Sequence, residues 1–469
     1  MRLVFNGNSV KQDYLGGGLI FLNVILLAIW AIKDTIALRN IVLVLGAVAS
    51  IIYIANDWRF GSLKRQLKSV HSLPLIFAGL IFAWVLIHFF CFSQDSISQF
   101  QELKSTWLRV VLASILAWGT GLAILRRPVL INYLWLGIML GIFAVYAQYI
   151  PKALAKNALF VPDYHGYLLE GKINGVLVGT LLIAGLTGTA LDLFRRHQLS
   201  SSKWVLAFWL LGVVVAMYSY VFIYDTRNGF GLAAILFAAL IAVGILWVVR
   251  RIITKGANRE LVIVIAFIAG LAILASIFTY HQIKRNTGWL TLVEDAKIAV
   301  QVDKYPQWQR SNIGGEVPQT ESGRVVVGNT YERVAWAVVG VRLIGQHPLG
   351  TGVLYTPFNK LLQKDYPGAT PYATHSGWID LTLSLGLPAL LLMWGILARV
   401  FFLSIKSDGP FAITLPIMAG MIFLLYLVGE LNGKHAVEIL FYWFAMLTAL
   451  QLTQYSELTK SSRLDRCYS

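Results

Sequence analysis

Charge is what this chain has least of. Asp, Glu, Lys and Arg make up 13% of its 469 residues, while 57% are hydrophobic. A water-soluble fold cannot stay dispersed behind so few charges while carrying apolar runs this long, so lipid must be the solvent for much of the surface. Cysteine is nearly absent as well. Cys91 and Cys467 fall on opposite sides of the membrane in the topology below, which excludes a disulfide between them, and neither stands at a metal-ligand spacing. The chain has no Asp-x-Asp pair, no His-Glu-x-x-His and neither a P-loop nor a dinucleotide motif. The usual sequence grounds for a catalytic metal, for nucleotide hydrolysis and for a redox cofactor are therefore missing, and no cofactor or metal is expected.

What the chain does have is apolar length and positive charge. The formal net charge is +16. No Lys/Arg block is interleaved with aromatics, so a nucleic-acid partner is not expected. In a membrane protein a basic excess marks cytoplasmic loops and their contact with anionic lipid heads. Stretches long enough to span fall near 15–32, 41–55, 73–92, 107–125, 129–149, 173–194, 204–224, 229–249, 260–278, 376–402, 411–428 and 436–452. The first has no small-residue cleavage site after it and reads as a retained helix.

Basic residues follow every even-numbered stretch. They are Arg59, Lys64, Arg65 and Lys68 after the second, Arg126 and Arg127 after the fourth, and Arg195, Arg196 and Lys203 after the sixth. Arg250, Arg251, Lys255 and Arg259 follow the eighth, Lys406 the tenth, and Lys460, Arg463 and Arg466 the twelfth. The positive-inside rule puts these loops and both termini in the cytoplasm, and the odd exits in the periplasm of a Gram-negative cell. The expected fold is an all-α polytopic membrane protein of about twelve transmembrane helices, with one large, partly helical periplasmic loop between the ninth and tenth. The expected division is 1–280 for spans one to nine, 281–375 for the loop domain, 376–455 for spans ten to twelve and 456–469 for a cytoplasmic tail.

The loop, about His281 to Thr374, reads as structured. Asn329 and Glu332 stand at capping-box spacing ahead of Val334, Ala337, Val338, Val341 and Ile344, and Pro348 with Gly350-Thr351-Gly352 stops that helix.

Three polar residues at the far face carry the chemical argument. Arg227, in Asp225-Thr226-Arg227-Asn228-Gly229, is a cation on the wrong side to be an orientation signal. It either snorkels to the interface or offers its planar fork to phosphate oxygens. Arg333 lies in the first turn of the loop helix, where the macrodipole disfavours a cation; it either pairs with Glu332 or another acid, or faces an anion together with the free amides. His375, just before the tenth stretch, is either a polar cap or a general base, since imidazole suits proton abstraction near neutral pH. Lys172 and Asn174, at the far-side start of the sixth stretch, could reach the same cavity, as could Ser376. Asp380 lies inside the tenth stretch, where a carboxylate implies a partner or a wet cavity. It is about 140° around the helix from His375, which disfavours a direct dyad. Glu430, Lys434 and His435 are expected to pair with one another, and His347 to sit at a helix end.

These residues resemble the O-antigen ligase and polymerase superfamily of polytopic glycosyltransferases. Arg227-Asn228-Gly229 is similar to the family's Arg-Gly turn entering a span, with Asn228 where a small residue is usual. Arg333 through Gly352, with Trp336 and His347-Pro348-Leu349-Gly350-Thr351-Gly352, resembles its Arg…Trp…Pro-x-Gly-x-Gly segment. His375-Ser376, nine residues, then Gly386 resembles the ligases' histidine pattern. The resemblance implies a GT-C-like membrane fold in the bacterial inner membrane and a periplasmic active site. It implies an undecaprenyl-pyrophosphate-linked glycan donor, a lipid A-core acceptor and metal-free, inverting transfer. Arg227 and Arg333 would stabilise the leaving pyrophosphate, Lys172 would assist, and His375 would be the base. A polymerase or a protein O-oligosaccharyltransferase would share the donor. A lipid-linked glycan flippase is the non-enzymatic rival, but it calls for charges deep in several spans and broken helices.

Overall fold

In lipid every backbone N–H and C=O must be satisfied within the segment, so long Leu, Ile, Val and Ala runs fold as helices. The computed structural model describes residues 7–59, 72–158, 168–169, 171–196, 203–255, 259–285, 287–310, 317–429, 431 and 433–452. Its first part comprises α1 (Gly7–Ile29), α2 (Ile36–Arg59), α3 (Leu73–Cys91), α4 (Ser96–Glu102), α5 (Leu108–Arg126), α6 (Ile131–Ala155), α7 (Lys172–Arg195), α8 (Lys203–Tyr218), α9 (Arg227–Lys255) and α10 (Arg259–Arg285). Three shorter or less apolar helices follow, α11 (Leu292–Ala299), α12 (Gly328–Gln346) and α13 (Pro357–Asp365). The chain then returns through α14 (Gly377–Ile405), α15 (Thr414–Val428) and α16 (Lys434–Gln451). Each apolar stretch read from the sequence lies on one of these helices.

Among the described residues nine helices are long and apolar enough to cross a membrane. The protein is an all-helical, multi-pass membrane protein. The fourth stretch is longer than its apolar core suggests: α4 runs through a π-turn at Leu103–Trp107 directly into α5. Cys91 is exposed, whereas Cys467, Lys64, Arg65, Lys68, Lys460, Arg463 and Arg466 lie outside the described residues.

Which faces meet lipid follows from exposure. On α2, Ile41, Val44, Leu45, Val48, Ile51 and Ile52 are exposed, a stripe that only hydrocarbon tolerates. At the other extreme, α7 is enclosed by its neighbours for almost its whole length. Its glycines allow this, because Gly175 packs on the ring of Tyr224, Gly185 on Trp135 and Gly188 on the backbone of Thr414.

Among the described residues there are two apolar cores. The large one joins the membrane helices. The second gathers Ile298, Trp308, Tyr331, Trp336, Phe358 and Leu362, among others, from residues 298–383. Most of this second core comes from the segment between α10 and α14, with Leu383 added by α14 itself.

The tenth stretch is not one continuous helix. At Gly386 the backbone turns to φ 80° and ψ 170°, freeing carbonyls that the loop then satisfies. The amide of Thr351 donates to Leu383 O at 2.9 Å, that of Gly352 to Ser384 O at 2.7 Å, and that of Leu387 to Pro348 O at 2.8 Å. Trp84 Nε1 donates to Leu385 O at 2.6 Å. The fit leaves no room for side chains. A Cβ on Gly386 would lie 2.5 Å from Leu349 O, and one on Gly350 would lie 2.6 Å from Ser384 O. The Pro-x-Gly-x-Gly segment and the distant Gly386 are two halves of one joint.

Candidate active site

His375 sits between Thr374 and Ser376 with φ +59°, a left-handed conformation that costs a non-glycine residue about 1 kcal/mol. Three contacts hold it there. Asp380, fully buried, accepts the Thr374 amide at 3.0 Å and its hydroxyl at 2.9 Å, fixing the residue before the histidine. The ring stacks on Trp336, centroids 5.2 Å apart and planes 15° from parallel, while Tyr372 meets it edge-on at 6.3 Å. Trp336 is itself anchored, its Nε1 donating to Trp308 O at 2.7 Å. The partner that a carboxylate in this stretch implies includes Thr374: the Asp380 side chain is enclosed and bonded there, beside the histidine.

Arg227 begins α9. The Thr226 amide donates to Tyr220 O at 3.0 Å, and the Thr226 hydroxyl accepts the Gly229 amide at 2.9 Å, capping the helix. Glycine at 229 is a packing requirement, since a Cβ there would lie 2.7 Å from the Tyr220 ring. Asn228, where the family usually has a small residue, donates from Nδ2 to Val428 O at 2.8 Å. The next carbonyl, Gly429 O, accepts the Gly377 amide at 2.8 Å. The arginine turn and the histidine turn are therefore tied to adjacent carbonyls at the end of α15. Among the described residues none forms a hydrogen bond or ion pair with Arg227; Asp295 acts on it through space.

Arg333 lies one helical turn before Trp336 on α12, so the same helix that stacks on His375 carries it. Its Nε donates to Asn329 Oδ1 at 2.6 Å. The expected capping box does not form: Val327 occupies the cap with no side-chain bond, and Asn329 serves the arginine instead. Lys172 opens α7 and is exposed, Asn174 bonds by its amide to Gly171 O at 3.2 Å, and the following Gly175 lies on Tyr224, just ahead of the Arg227 turn. Ser376 is buried, and its Oγ has no hydrogen-bond partner among the described residues. His347 ends α12.

Among the described residues His435 meets Arg39 at 2.7 Å and Glu438 at 3.8 Å, and Glu438 also pairs with Arg109. Glu430 lies outside the described residues.

The structure adds groups that the sequence did not single out. Asp295, fully buried, accepts Arg324 Nη2 at 2.8 Å and the Thr291 hydroxyl at 2.9 Å. Arg324 also meets Glu294 at 3.0 Å, and these two carboxylates hold its proton more tightly than usual. Asp295 and Arg324 stand 29 positions apart, so no helical or strand spacing announces them. Glu102 accepts the amides of Leu354 at 2.7 Å and Tyr355 at 2.9 Å. A carboxylate near the end of an apolar stretch was the available signal for it.

Residues 212–394 match the family model described as O-antigen ligase. The match supports membership of the O-antigen ligase/polymerase superfamily. The match takes in the Arg227 turn, Arg333, the glycine joint and His375, and stops short of Lys172 and Asn174. Members of this superfamily are glycosyltransferase-like membrane enzymes, acting on lipid-linked glycans. No curated protein matches the chain.

Proposed function

We propose that the protein is an O-antigen ligase, transferring a glycan from undecaprenyl pyrophosphate to a lipid A-core oligosaccharide at the periplasmic face of the inner membrane. The observation that carries this reading is the meeting of an arginine turn and a histidine turn on the adjacent carbonyls of Val428 and Gly429. A second arginine stands one turn from the Trp336 that stacks on the histidine.

In this reading twelve helices span the membrane, both termini are cytoplasmic, and residues 281–375 form the periplasmic domain between 1–280 and 376–455. The resemblance supports a transfer without metal or nucleotide sugar. His375 takes the proton of the acceptor hydroxyl, and the oxygen attacks the anomeric carbon from the face opposite the diphosphate. The bond from that carbon to the diphosphate oxygen breaks, its electron pair leaves with the diphosphate, and the anomeric centre inverts. Arg227 and Arg333, with Lys172, stabilise the charge that develops there. Both substrates are membrane-anchored, which fits a site at the end of the spans.

The test is transfer in vitro by purified protein from a lipid-pyrophosphate glycan to lipid A-core, in EDTA. Transfer should persist in chelator, and its loss would sink the metal-free mechanism. His375→Ala should lower turnover by about 10²–10⁴-fold, the usual worth of a general base; activity near wild type would remove it as the base. Arg227→Lys should fail as Arg227→Ala does, because an ammonium cannot reproduce the fork. Use of a second lipid-linked glycan or a protein hydroxyl in place of lipid A-core would make the enzyme a polymerase or a protein O-oligosaccharyltransferase.

A further inference from the structure

Arg324 and its carboxylate partner Asp295 belong to the segment that packs against the first turns of α9, the helix that Arg227 opens. Arg227 opens α9, whereas Arg324 closes the turn held by the Arg324 O to Thr320 amide bond at 2.8 Å and the bridge between Gln319 and Val325. Between them lies Asp295, on α11, bonded directly to Arg324 and acting on Arg227 without touching it. The loop is fastened beside α9 here: the Trp289 indole, just before α11, lies 3.5 Å from where a Cβ of Gly231 would be. A buried carboxylate bonded to one guanidinium, close to the start of α9, occupies a position that a phosphate oxygen could take.

We propose that Arg324 is a further ligand of the donor diphosphate and that Asp295 is its resident competitor, holding the anion position until the diphosphate takes it. This rests on the reading of Arg227 as a diphosphate clamp. No bond is made or broken in the exchange. Arg324 turns from the carboxylate to a phosphate oxygen, and Asp295 keeps its Thr291 hydroxyl. A diphosphate, with two linked anionic groups, can engage Arg227 and Arg324 together, while a monophosphate engages one. The subsite therefore discriminates between the donor and a monophosphate lipid.

Removing Arg324 alone would strand a buried carboxylate, so neutral isosteres are the appropriate variants. The probe is inorganic pyrophosphate, read as the shift it causes in each variant's own melting temperature and as its inhibition of transfer. Asp295→Asn should bind pyrophosphate about tenfold more tightly than wild type, the scale of one charged contact. The double variant Asp295→Asn with Arg324→Gln should give that gain back, and inorganic phosphate should respond much less. If the double variant binds pyrophosphate as tightly as Asp295→Asn alone, Arg324 is only a structural partner of Asp295 and the proposal falls. It falls too if pyrophosphate leaves every melting temperature unchanged while transfer is normal, a result that spares the ligase reading. Arg324-dependent pyrophosphate binding in a protein that transfers to no acceptor would do the reverse.

Discussion

At position 375 the side chain proposed as the base is set on a backbone that most residues avoid. Histidine tolerates φ +59° better than a β-branched residue would, but the turn still needs support from outside. Asp380 supplies it through Thr374, and Trp336 supplies it through the ring. Asp380→Asn should therefore lower kcat by about tenfold or more with little change in KM, because its bonds are to the turn. An equal loss in KM alone would show instead that Asp380 contributes to binding. Trp336→Phe should retain much of the activity that Trp336→Ala loses, since a smaller ring still stacks. If both variants fail alike, the indole N–H bond to Trp308 O is what matters. Gly386→Ala is a backbone test. The added carbon meets Leu349 O at 2.5 Å in a conformation only glycine adopts cheaply, so a loss of about 1–3 kcal/mol in stability is expected in thermal unfolding.

Among the helices, the joint between residues 348–352 and the break in α14 is gripped from the other side by α3 and α4. Gly352 abuts His88, Glu102 holds two loop amides, and Lys360 reaches Asp95 at 3.1 Å. Glu102→Ala should leave those amides unpaired and make residues 353–357 more sensitive to limited proteolysis, while Glu102→Gln, still an acceptor, should do so less. The outer latch has its own pH signature. Bonds to Ser98 and Lys360 hold the Asp95 carboxyl down to about 2, against an ordinary value of 3.8. A depressed folded value means the contribution is complete above pH 3.8 and disappears as pH falls through about 2. The melting-temperature gap between wild type and Asp95→Asn should close over that window, and a gap that stays constant to pH 2 would contradict the latch.

These elements also mark what could be read without coordinates. Helix positions were legible because lipid permits little else, and Arg227, Arg333 and His375 were legible as polar residues at the ends of apolar runs. The break at Gly386 was not, because glycine and proline are common inside membrane helices and neither names its partner. The role of Asp380 was hidden for the same reason: its partner precedes the helix. Asp295 and Arg324 carry no periodicity, and only three-dimensional proximity joins them.

For the molecule as a whole, the decisive measurement is sidedness. In a protein lacking Cys91 and Cys467, a cysteine at Ser322 should react with a membrane-impermeant maleimide added outside. One at Lys406, exposed after α14, should react only after permeabilisation. Labelling of both from the same side would contradict the twelve-span arrangement and with it the periplasmic site.

The chain's order of synthesis gives the broken helix a further meaning. Residues 348–352 leave the ribosome before α14 exists, yet in the finished fold they bond the Leu383 and Ser384 carbonyls and the Leu387 amide. The earlier segment must therefore wait until the later helix arrives to receive it and to complete its small core with Leu383. Faults in that segment should surface as failed assembly and degradation by the cell's quality-control proteases before they surface as slow chemistry.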